Sequence, residues 1–66
     1  MSLTETTSQE LTELAKQMLA TGQAVSDYKN FGTLVKATTS EIEEYTGTMM
    51  LGEIEVDGVK FIYFAS

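Results

Sequence analysis

The sequence predicts an α+β fold: an N-terminal amphipathic helix packed on a small antiparallel sheet that ends in a C-terminal β-hairpin. Two patterns carry that reading. Apolar residues recur at helical spacing from Leu11 to Leu19, and two strand-favouring runs between Glu53 and Ala65 flank Asp57-Gly58. Length sets the scale. The 66 residues make one small domain, residues 1–66, and at such a size folding removes only about 60% of the surface the unfolded chain exposes. The core is therefore thin. With no cysteine or histidine in the chain, no disulfide or conventional zinc site reinforces it, and stability has to come from packing or from a partner.

Residues 1–6 form a polar lead-in without periodicity and are expected to fray. Thr7 and Glu10 have the spacing of a capping box, a hydroxyl at the cap with a carboxylate three residues on. Leu11, Leu14, Ala15, Met18 and Leu19 then fall on one helical stripe, with Glu10, Glu13, Lys16 and Gln17 on the other side. Gly22, after Thr21, supplies a C-terminal stop.

Residues 24–38 carry mixed signals. Val25, Tyr28, Phe31 and Val35 sit at helical spacing, but Asn30, Gly32 and the β-branched Thr33, Val35, Thr38 and Thr39 oppose a helix. The reading adopted is a turn from Asp27 to Gly32 followed by a short strand from Thr33 to Ala37. Ser40 and Glu43 repeat the capping-box spacing. Glu41, Glu43 and Glu44 then crowd the first turn of a helix of one or two turns, where carboxylates complement the dipole. Ile42 and Tyr45 point to the core, and Gly47 ends the turn.

The hairpin is the second clear signal. Asp57-Gly58 is a type I′ pair, and a two-residue loop dictates the register. Val56 faces Val59, Glu55 faces Lys60, Ile54 faces Phe61 and Gly52 faces Tyr63. The Glu55–Lys60 ion pair is worth about 0.2–1 kcal/mol, enough to aid register and little more. Period-2 alternation puts Met50, Ile54, Val56, Val59, Phe61, Tyr63 and Ala65 on the face that receives the helix. Met49, Leu51, Ile62 and Phe64 fall on the opposite face.

Those four residues are the candidate interface. One long helix covers one face of a sheet, so something else must cover them. Full burial of four such side chains amounts to about 6–12 kcal/mol before entropic losses. Two answers are open. Either the Ser40 helix and the Tyr28–Phe31 segment fold over the patch, or a second copy or a protein partner does, most simply as a twofold homodimer.

Composition excludes much else. Ten acids against four lysines give a net charge of −6. The lysines are scattered and no arginine is present, so neither direct nucleic-acid binding nor attachment to an anionic membrane is expected. The N-terminus lacks the basic start and apolar core of a signal peptide, and the longest apolar run, Phe61–Ala65, is far short of the roughly 20 residues that span a membrane. The expectation is a cytoplasmic protein.

Catalysis is not expected. Without cysteine or histidine the chain lacks the commonest nucleophile and general base. Glu41, Glu43, Glu44 and the pair Glu53, Glu55 are the densest carboxylates, but no calcium-loop spacing accompanies them. The five glycines are dispersed rather than gathered into a phosphate loop. No cofactor and no metal site is therefore expected.

The order of helix, Thr21-Gly22, Ala24-Val25, turn, short strand and Ser40-capped helix resembles in outline small phage head-completion proteins of the lambda type. The likeness spans residues 11–46, and the chain departs from it in lacking a basic tail and in adding the hairpin. The resemblance implies a structural role in a phage particle. The reading from the residues themselves is a non-enzymatic interaction module that self-associates or docks on a protein through the apolar end of its sheet. An acidic inhibitor that occupies a basic site on another protein is the alternative.

Overall fold

The computed structural model describes residues 5–29 and 32–65. Helix α1 (Glu5–Thr21) is followed by strands β1 (Val25–Tyr28) and β2 (Gly32–Lys36), a 3-10 helix (Ser40–Tyr45), and strands β3 (Met50–Val56) and β4 (Val59–Ala65). The strands form one antiparallel sheet in the order β1-β2-β4-β3. The α+β class, the N-terminal helix and the C-terminal hairpin are all as the sequence predicts.

α1 buries Leu11, Ala15 and Met18, with Leu14 and Leu19 packed beside them. This is the expected stripe. Gly22 (φ +77°) ends the helix, and the Gln23 amide reaches back to the Met18 carbonyl at 3.0 Å, the long bond of a Schellman stop. The N-terminal expectation needs correction. The helix already includes Glu5, so Thr7 lies inside it and the Thr7–Glu10 box does not mark its start. Glu10 is engaged elsewhere, as described below.

The strand expected over Thr33–Ala37 is β2, displaced by one residue. β1 is a correction, because the sequence reading placed a turn from Asp27. Val25 and Tyr28 are three residues apart, which puts them on opposite faces of a strand. Each joins a different core: Tyr28 the one under α1, Val25 the one on the far side. A four-residue strand split in this way shows no alternation, and its apolar spacing imitates a helix. Phe31, considered alongside Tyr28 as a cover for the far face, lies outside the described residues.

β4 and β2 are central and buried on both faces. Leu34, Phe61 and Tyr63 face α1 together with Val56, whereas Val35, Ile62 and Phe64 face away. Ile42 and Tyr45 of the 3-10 helix pack over that second cluster, as their positions predict. Its cap differs from expectation. Thr39 rather than Ser40 is the N-cap residue, and it makes no side-chain cap bond. Its hydroxyl instead donates to the Lys36 carbonyl at 2.8 Å, closing the turn that leaves β2.

The hairpin register is the one the turn dictates, with Val56 opposite Val59, Glu55 opposite Lys60, Ile54 opposite Phe61 and Gly52 opposite Tyr63. Asp57 (φ +53°) and Gly58 (φ +78°) have the two positive φ angles of a type I′ turn. Glu55 and Lys60 face each other without closing an ion pair. The ion pairs among the described residues are Lys16–Glu13 and Lys29–Glu10.

Beyond Gly52 the regular alternation fails. Met50 lies opposite Phe64 and Gly52 opposite Tyr63, so Leu51 is the extra residue of a β-bulge. The bulge exchanges two side chains. Leu51, expected on the far face, packs against the core under α1. Met50, expected under the helix, is exposed opposite Phe64.

Candidate interaction surface

The four residues singled out as an interface do not share one surface. Ile62 and Phe64 are covered by their own chain, with relative exposures of 9% and 6%. Leu51 is half-buried on the helix side of the sheet. Met49 alone of the four is open to solvent, at 67%, and its neighbour Met50 joins it at 59%. These two are the strongly exposed large hydrophobic residues among those described. The bulge creates the pair, because a strictly alternating strand would have turned Met50 inward.

The methionines stand at the start of β3, and β3 is an edge of the sheet. The Ala65 amide donates to the Met49 carbonyl at 2.9 Å, holding that end of the strand against β4. Further along, Glu53 and Glu55 are exposed on the face opposite α1. The surface is thus an apolar pair followed by two carboxylates along one edge strand.

A second feature lies where α1 meets β1. Glu10, Glu13, Leu14, Gln17, Asp27, Tyr28 and Lys29 line an open groove of about 350 Å³. In it the Tyr28 hydroxyl donates to the Glu10 carboxylate, and the Lys29 ammonium donates to both carboxylate oxygens at 3.1 Å. The ammonium also lies 5.3 Å from the centre of the Tyr28 ring. Tyr28 in turn meets Tyr63 edge-on, with centroids 5.6 Å apart. Sequence reasoning missed this clasp, because Glu10 and Tyr28 are 18 positions apart and nothing local links them.

The clasp tunes its members toward their ordinary ionisation states. The Tyr28 hydroxyl, and after it Lys29, hold the Glu10 carboxyl below its usual pKa. The hydrogen bond to Glu10, then burial, raises that of the Tyr28 phenol, and the same carboxylate raises that of the Lys29 ammonium. At neutral pH the carboxyl is ionised, the phenol protonated and the amine charged. Each shift favours the form that the group already holds at neutral pH. Among the described residues no group of three or more acidic, histidine or cysteine side chains is placed to hold a metal ion. None of their helices is long and apolar enough to cross a membrane.

Comparison with known proteins adds no relative: no family model, no curated protein and no solved structure matches the chain.

Proposed function

We propose that this protein is a non-enzymatic interaction module that docks on another protein through the Met49–Met50 end of β3. One observation carries the reading. Two adjacent methionines stand largely in solvent at the start of an edge strand, while every other large apolar side chain described is at least half covered by its own chain. A domain of this size has about 5 kcal/mol of net stability, and an exposed apolar pair beside free main-chain groups is where a partner gains most from contact.

The test places a photo-crosslinking residue, p-benzoylphenylalanine, at Met49 of the full chain expressed in its native cells. The control carries it at Lys16, on the exposed side of α1. An adduct of discrete mass from position 49, absent from position 16, is the expected result. An adduct heavier by 7.3 kDa identifies a second copy, and any other mass a different protein. Equal labelling from both positions, or none from position 49, would end the reading.

A further inference from the structure

We infer that the free edge of β3 accepts an extended segment of a partner protein as a fifth strand, and that this segment carries lysine or arginine at two alternate positions facing Glu53 and Glu55. The inference rests on the interaction reading above and names the chemistry of the partner.

In an antiparallel pair, residues alternate between those that bond the neighbour and those whose amide and carbonyl point away. The two-residue turn makes Val56–Val59 a bonded pair, so Glu55 and, two residues on, Glu53 point outward. An independent bond agrees. The Ala37 amide donates to the Lys60 carbonyl at 2.9 Å, so the main chain of Lys60 is turned away from its β3 partner, Glu55. β3 pairs only with β4, and among the described residues no other main-chain bond falls on residues 50–56. The outward amides and carbonyls of Glu53 and Glu55 are therefore free to take a strand.

Side-chain charge then selects the occupant. A docked antiparallel strand forms its close hydrogen-bonded pairs opposite Glu53 and Glu55, with Cα atoms about 5.5 Å apart and side chains on a common face. Like charges there oppose docking, and cations favour it. A second copy is a poor fit. Pairing two β3 strands with their helix-covered faces aligned and centred on Ile54 sets Glu53 of one copy against Glu55 of the other. The net charge of −6 adds repulsion at longer range. A basic segment meets neither penalty. Its residue beyond the second cation reaches Met50, which the bulge has placed on the same face as the carboxylates, so an apolar residue there completes the fit. The opposite edge is a weaker acceptor, since β1 has four residues against seven in β3.

The probes are two ten-residue peptides with threonine and valine at intervening positions and a leucine near the C-terminus. One has lysine at two alternate positions and the other glutamate. Binding is followed by fluorescence anisotropy, and amide exchange of the whole protein by NMR. The lysine peptide is expected to bind and to slow exchange at Glu53 and Glu55 selectively, and the glutamate peptide to bind about tenfold more weakly or not at all. The variant Glu53→Lys/Glu55→Lys should invert the preference. Glu53→Gln/Glu55→Gln, which adds no repulsion to the fold, should reduce it to the weaker, salt-screened preference that the remaining net charge imposes. Binding of the lysine peptide with no protection at either amide would show charge attraction without strand addition and overturn the inference. If neither peptide binds while the Met49 adduct still forms, strand addition is refuted and the interaction reading survives.

Discussion

The ring of Tyr45 lies stacked on the ring of Phe64, with centroids 5.4 Å apart and planes inclined by 24°. That contact decides what covers the far face of the sheet. The connection from β2 to β3 runs across it, and its short 3-10 helix sets Tyr45 and Ile42 over Val35, Ile62 and Phe64. The apolar end of the hairpin is thereby largely internal, and the exposed remainder contracts to Met49 and Met50.

The two halves of this contact should respond differently to substitution. Tyr45→Ala removes a half-buried ring and is expected to lower stability by about 1–3 kcal/mol while leaving the chain folded. Phe64→Glu places a charge in a covered apolar site and is expected to unfold the domain, whose whole stability is about 5 kcal/mol. Circular dichroism melts read both. A Phe64→Glu protein that melts like the wild type would mean that the far face is open and the covering role of Tyr45 is wrong.

Gly32 is required for space rather than for an unusual φ. A methyl group there would collide with the Phe64 carbonyl oxygen and stand 2.5 Å from Cε1 of Tyr63. The carbonyl belongs to the central strand β4 and cannot step aside without disturbing its ladder. Gly32→Ala is expected to cost about 1–3 kcal/mol in urea titrations, as overpacking of a tight core does. An unchanged midpoint would show that β2 and β4 can separate freely at this end.

The Glu10 clasp predicts a pH signature. The folded-state pKa of Glu10 is depressed, so its contribution is present above the ordinary value of 4.5 and fades as pH falls through the lower folded value. The folded-state values of Tyr28 and Lys29 are raised, so their contributions are present below the ordinary 10.0 and 10.5 and fade as pH rises through the higher folded values. The difference in melting temperature between the wild type and Glu10→Gln should therefore be largest and level across neutral pH. It should shrink on both the acid and the alkaline flank. A difference that persists unchanged to pH values well below the carboxylate range would dissociate the clasp from stability.

Local chemistry in the sequence determined the strongest elements of this protein. The Leu11–Leu19 stripe specifies a helix with one buried face. Asp57-Gly58 specifies a hairpin whose first five cross-strand pairs follow from the turn, because a two-residue loop leaves no freedom of register. Ile42 and Tyr45 were legible as core residues from their spacing behind a run of carboxylates. What escaped the sequence lies wherever distant segments compete for one group. Glu10 has the spacing of a local cap, but Tyr28 and Lys29 claim it across the α1–β1 groove. Val25 and Tyr28 look helical because their strand divides them between two cores. Met50 and Leu51 exchange faces at a bulge that no alternation rule anticipates, and that exchange leaves two methionines in solvent at the free edge. Periodicity reports which side chains avoid water within one segment; only the assembled sheet decides which neighbour supplies the cover, and therefore which side chains stay in solvent.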